Sequence, residues 1–165
     1  MNTHKNIQLP EGATALESDA LNIQPKSAAA LLKEYLTSVG EGDSHRTASF
    51  FAEGGFIDAP YVVSLGLPSK IEGPAAIQAT MENLFQNAPD FHFTSMKVIL
   101  ETPGTVVAQY ESEASLTNGR AYKQLYLGVV TAEDGKITSH TEYLNTIPFV
   151  EAFFPNGLKD LITTK

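Results

Sequence analysis

The sequence contains no cysteine. That excludes disulfides, thiolate metal sites and cysteine nucleophiles, and leaves a reducing cytoplasm as the default compartment. Basic residues are scarce: 11 Lys and Arg stand against 19 Asp and Glu, a formal net charge of −8. Nucleic acid requires clustered Lys and Arg against its phosphates, so it is excluded as a partner. Anionic membrane surfaces are disfavoured for the same reason. No apolar run approaches the ~18 residues of a membrane span. The N-terminal stretch has one early lysine and no apolar core, so secretion is not expected. A glycine-rich phosphate loop and a nucleophile elbow are both missing, and Gly54-Gly55 reads as the entry to a strand. No serine has an identifiable base partner. The histidines and carboxylates lack metal-ligand spacing, so neither a metal nor a cofactor is expected. A small neutral or weakly polar molecule, or another protein, remains as the natural partner.

What is present suits one domain. The chain has 165 residues, 42% of them hydrophobic, enough for a single core. Residues 1–26 carry scattered polar groups and no sustained period, and read as a mobile N-terminal arm. The domain is expected to occupy residues 27–165. Ala28, Leu31, Leu32, Tyr35, Leu36 and Val39 recur at spacings of three and four, which predicts an amphipathic helix over Ser27–Val39. Gly40 and Gly42 end it. Asp43 or Ser44 is suited to cap a second helix over Ser44–Ala52. Gly73-Pro74 opens a third, whose apolar face is Ile77, Met81, Leu84 and Phe85, and Ala88-Pro89 stops it.

The period then changes. Phe91–Leu100, Thr105–Leu116, Ala121–Thr131 and Lys136–Asn145 are rich in β-branched and aromatic residues. Pro103-Gly104, Asn118-Gly119 and Asp134-Gly135 separate them. Asn-Gly and Asp-Gly tolerate positive φ at both turn positions, so an antiparallel meander is predicted. Helices followed by such a sheet make an α+β fold with helices on one face. A last helix or rim segment is expected over Ile147–Phe154.

These residues resemble a known family. Tyr35-Leu36 to Gly42-Asp43, Phe50-Phe51-Ala52-Glu53 and Gly73-Pro74-Ala75-Ala76-Ile77 resemble the nuclear-transport-factor-2-like superfamily, in its SnoaL-like and ketosteroid-isomerase-like branches. Pro89-Asp90-Phe91, Asp134-Gly135-Lys136-Ile137 and Glu142-Tyr143-Leu144-Asn145 are similar to its phenazine-biosynthesis A/B proteins. The resemblance spans about 125 residues, from Ser27 to about Phe153. It implies a cone-shaped half-barrel, a curved antiparallel sheet wrapped over three N-terminal helices, usually paired as a homodimer through the sheet. It also implies roles. Tyr35 matches a helix tyrosine that donates to a substrate oxyanion. Glu142 matches a last-strand acid/base glutamate. Asp58 matches a general-base aspartate only with a one-residue slip, which on a strand reverses the face. Two further catalytic positions of the relatives have no counterpart: the region Gln124–Leu127 lacks an acid, and Thr80 replaces a histidine.

Each candidate also has a plainer reading. Alternation puts Thr138, His140 and Glu142 on one face of their strand. If that face lines the cone, the Glu142 carboxyl sits among apolar walls and suits proton transfer; otherwise Glu142 is a solvated surface group. Asp58 is either an acid inside an apolar strand or a turn-forming residue before Pro60. Tyr35 is either a ligand donor or core packing. His92 alternates with Phe91 and Phe93 and reads as an exposed strand histidine. Gln109, Glu111 and Glu113 mark a watered face, and Tyr122, Gln124 and Tyr126 share a face of the next strand.

The sequence thus points to an enzyme of acid/base type, an isomerase, dehydratase or cyclase without cofactor, acting on a cyclic apolar metabolite. Glu142 and Asp58 would move protons. Tyr35 and Tyr61 would orient a carbonyl or hydroxyl. Phe91, Phe93, Tyr126 and His140 would complete the substrate site. The alternative is a non-catalytic ligand-binding or homodimeric assembly domain.

Overall fold

The computed structural model describes residues 25–162. Residues 1–24, most of the expected N-terminal arm, lie outside the described residues. The elements run α1 (Ala28–Gly40), α2 (Ser44–Ser49), β1 (Phe51–Asp58), a 3-10 helix (Pro60–Leu65), β2 (Lys70–Glu72) and α3 (Pro74–Asn87). Then come β3 (His92–Thr102), β4 (Thr105–Ser115), β5 (Ala121–Glu133), β6 (Lys136–Leu144), α4 (Thr146–Phe153) and α5 (Lys159–Ile162). The six strands form one curved, unclosed sheet in the order β2-β1-β6-β5-β4-β3. Helices cover its concave side, as the α+β cone expectation requires.

Local chemistry sets the helix ends. The Ser27 hydroxyl accepts a hydrogen bond from the Ala30 N–H at 3.3 Å and starts α1. Gly42, at φ +71°, supplies the left-handed residue that turns the chain out of it. Asp43 caps α2, accepting from the Arg46 N–H at 2.8 Å. This second helix is shorter than its sequence suggests, because it stops at Ser49 and Phe51-Ala52 enter β1. The cause is non-local: the Ile137 N–H donates to the Phe50 carbonyl at 2.8 Å, and Phe51 pairs with Ile137 of β6. Sheet pairing here outcompetes one more helical turn.

The meander β3-β4-β5-β6 is antiparallel throughout, and β1 then joins β6 in parallel. The register of β1 against β6 slips between Phe51 and Phe56. Gly55 lies in this bulge, where an added Cβ would stand 2.6 Å from the Ile137 carbonyl oxygen. Gly55 is therefore required by a close backbone approach, whereas a Cβ on Gly54 would meet nothing within 4 Å.

Alternation along β4 and β5 separates the two sheet faces. Val106, Ala108, Tyr110, Ser112, Tyr122, Gln124 and Tyr126 are buried on the concave side. Gln109 and Glu111 are exposed on the convex side, opposite Leu127 and Leu125 of β5. The α1 face of Leu31, Leu32, Tyr35 and Val39 packs into the concavity and closes one end of the core.

Candidate active site

Between α1, α3 and the concave sheet lies a cavity of about 510 Å³, a size suited to one small organic ligand. Its walls are aromatic. Phe91 and Phe93 meet edge to face at 5.5 Å, and Phe93 meets Tyr126 at 5.8 Å. Phe149 and Phe153 of α4 close another side, with Phe153 edge-on to Tyr122 at 5.1 Å. The β4-β5 turn holds α4 in this position. Asn118 donates to the Ala152 carbonyl at 3.0 Å, and Arg120 donates to the carbonyls of Glu151, Phe154 and Pro155.

Glu142 projects from β6 into this aromatic space with its side chain 15% exposed. Its Oε1 accepts a hydrogen bond from the Tyr110 hydroxyl at 2.8 Å. The same hydroxyl lies 2.7 Å from His140 Nε2. Since Tyr110 donates to Glu142, its oxygen accepts from His140, which fixes the Nε2–H tautomer. His140 Nδ1 is then a bare acceptor in the core, and it has no partner among the described residues. A chain His140 → Tyr110 → Glu142 results. Glu142 lines the cavity, and no hydrogen bond reaches its Oε2 among the described residues.

The reach of Tyr110 depends on a glycine. Tyr110 stands on β4 and Glu142 on β6, so the phenol must cross β5. It does so over Gly128, which pairs with both Ala108 and Glu142. A Cβ on Gly128 would lie 2.5 Å from the Tyr110 hydroxyl oxygen.

Electrostatics follow from burial around one negative group. Desolvation, reinforced by the Glu142 charge, pushes the Tyr35, Tyr110 and Tyr126 hydroxyls well above the ordinary tyrosine range. Desolvation also pushes Tyr122 up to about 12. All four remain protonated donors at neutral pH. Burial lowers the His140 pKa, opposed by the charge on Glu142, so the ring is held neutral. Tyr122, Tyr126 and Ser112 form a second hydroxyl chain, at 3.2 Å and 3.0 Å. The Tyr35 hydroxyl has no hydrogen-bond partner among the described residues, so its donor is free for a ligand in the cavity it lines.

Residues 32–140 match the SnoaL-like domain family. The chain belongs to the SnoaL-like domain family. Among curated proteins it is similar to the uncharacterised protein YesE of Bacillus subtilis (strain 168), 27% identical over 124 residues, covering 74% of this chain and 84% of YesE. Among solved structures it is similar to a candidate isomerase from Bacillus subtilis, with a TM-score of 0.69 and 26% identity over 76% of this chain and 91% of the other. A phenazine biosynthesis-related protein from Pseudomonas aeruginosa shares the fold, with a TM-score of 0.60 at 21% identity, over 76% of this chain and 88% of that one.

Within this SnoaL-like domain, Tyr35, Phe91, Phe93, Tyr126 and Glu142 all line the cavity. Three other residues selected from the sequence do not. Asp58 lies between Ile57 and Ala59, both of which line the cavity, so strand alternation turns it to the convex side. There it pairs in register with Lys70 and Thr141, and its Oδ1 is buried with no partner among the described residues. Tyr61 is 55% exposed and packs edge-on to Tyr143 at 5.6 Å, outside the cavity. The 3-10 helix turns its neighbour Val62 inward instead. His140 is fully buried one layer behind the wall, covered by Tyr35 at 5.3 Å and by Tyr110.

Thr80 lines the cavity, but its hydroxyl donates to the Ala76 carbonyl at 2.9 Å. His92 is exposed, 3.7 Å from Glu113. Among the described residues, no group of three or more His, Asp or Glu is placed to hold a metal ion. No helix among them is long and apolar enough to cross a membrane. Tyr110 and Gly128 were not selected from the sequence. The available signal was a glycine in the middle of a strand, which marks a close approach by another group.

Proposed function

We propose that this SnoaL-like domain is a cofactor-independent acid/base enzyme, an isomerase, dehydratase or cyclase acting on a cyclic, largely apolar metabolite. One observation carries the reading: Glu142 lines an aromatic cavity with one oxygen held by Tyr110 and no hydrogen bond to the other among the described residues. A carboxylate anchored at one oxygen is oriented for proton transfer at the other. Glu142 takes a proton from a carbon next to a carbonyl, and the electron pair moves onto the carbonyl oxygen as an enolate. The free Tyr35 hydroxyl donates to the oxygen on which charge develops. Glu142 returns the proton at the product position, or gives it to a departing hydroxyl. The rings of Phe91, Phe93 and Tyr126 hold the substrate and keep water away. The similarity to a candidate isomerase at 26% identity supports the same chemistry.

The convex sheet face supports a homodimer. Leu125 and Leu127 of β5 are 49% and 40% exposed there, and Tyr143 of β6 pairs in register with Leu127. Exposed apolar residues on one sheet face mark a surface that a second copy would cover.

A panel of uncharged cyclic ketones and hydroxylated polycycles tests the functional reading. Ligands that enter the cavity raise the unfolding temperature by mass action. An enzyme also converts at least one of them, which product analysis detects. Stabilisation without conversion across the panel would instead support a non-catalytic binding domain.

A further inference from the structure

The cavity wall is unbalanced in charge. Among the described residues, no Lys, Arg or His lines it, and Glu142 is its one ionisable acid. The other polar groups at the wall are neutral: the tyrosine hydroxyls, Ser69 and Thr80, and the amides of Asn83 and Asn87 from α3. His140 contributes no compensating positive charge, because it is buried as a neutral ring that serves Tyr110. We propose that this site takes flat, uncharged ring compounds and rejects those bearing a carboxylate or phosphate, with Glu142 as the residue that sets the selection.

The selection is electrostatic. An anionic ligand would be stripped of water inside aromatic walls with no cation among the described residues to receive it. It would also sit within a few ångströms of the Glu142 carboxylate. At about 4 Å and an effective dielectric of about 20 a like charge weakens binding by up to about a thousandfold, and by about tenfold where water screens the pair. An uncharged ring meets neither cost. Its faces pack against Phe91, Phe93 and Tyr126, and its carbonyl or amide meets the donor at Tyr35. The chain's overall charge of −8 adds to the repulsion at longer range. This inference rests on the proposed site, and it narrows the ligand class that site accepts.

An isosteric pair provides the test: naphthamide and naphthoate substituted at the same ring position, titrated calorimetrically into the full chain near neutral pH. The amide is expected to bind at least about tenfold more tightly than the acid. In Glu142→Gln the gap is expected to narrow by about tenfold, because the acid binds better once the like charge is gone. Equal or tighter binding of naphthoate by the unsubstituted protein would overturn the inference. So would failure of both compounds to bind, or a gap left unchanged by Glu142→Gln. The catalytic reading fails separately, through the absence of proton transfer. Loss of proton transfer in Glu142→Gln alongside equal binding of both compounds would sink the charge selection alone.

Discussion

The Tyr110 hydroxyl on β4 donates to Glu142 on β6 at 2.8 Å, reaching across the whole width of β5. This bond orients the one carboxyl group that lines the cavity among the described residues, and it exists because residue 128 has no side chain. The most conspicuous acid in the site is therefore governed by two residues that never touch the cavity as ligands would.

Gly128→Ala should be destabilising, against the usual preference for alanine over glycine in a strand. The new Cβ would meet the Tyr110 hydroxyl at 2.5 Å and its ring carbon at 2.6 Å. Forced repacking of this kind costs about 1–3 kcal/mol. In a Tyr110→Ala background the clash partner is gone, so the same substitution should cost little. Chemical denaturation of the four proteins measures the coupling. Equal costs in both backgrounds would show that Tyr110 does not depend on Gly128.

Stability should decline as the pH falls below about 6.5, the ordinary histidine value, because burial lowers His140. In that range the unfolded chain binds a proton that the folded chain refuses. The slope contributed is at most about 1.4 kcal/mol per pH unit, and it vanishes above the unfolded value. The groups facing His140 are Glu142, Tyr110 and Tyr35; Glu142 opposes the shift without reversing it. Asp90 and Asp160, lowered by hydrogen bonds from Ser115 and Asn156, act near and below the ordinary 3.8, outside this window. His140→Gln keeps an N–H near the Nε2 position and should flatten the curve between pH 5 and 6.5, whatever its absolute stability. An unchanged slope in that variant would contradict a neutral His140.

The convex leucines predict a dimer. Light scattering should give twice the chain mass, and Leu127→Lys should give the monomer mass with the fold intact by circular dichroism. A monomer at high concentration in the unsubstituted protein would remove the proposed pairing.

Much of the fold was legible because its signals are local. Asp134 and Gly135 both take positive φ, 49° and 74°, as the Asp-Gly turn between β5 and β6 implies. The α1 stripe from Leu31 to Val39 is buried as its spacing predicts. The parallel joining of β1 to β6, and the early end of α2, depend on pairing between residues some eighty positions apart, which no local pattern carries. The site was legible to the same extent. Alternation groups Glu142 with His140 and Tyr122 with Tyr126, but which face lines the cone is set by the packing of the helices against the sheet. Asp58 follows the same rule, but its face is fixed by where Ile57 points, and that depends on the bulge at Gly54-Gly55. His140 has the right face and is hidden by Tyr35 and Tyr110, whose side chains arrive from distant parts of the chain.

The central claim is that Glu142 moves protons on a bound ring compound. Its most direct test is deuterium incorporation from heavy water into uncharged cyclic ketones, followed by NMR with the unsubstituted protein and with Glu142→Gln. Exchange is expected at the carbon beside the carbonyl of at least one ketone, reduced about a hundredfold or more in Glu142→Gln, with binding of that ketone retained. Exchange that continues undiminished without the Glu142 carboxylate, or no exchange in any ketone that demonstrably binds, would contradict it.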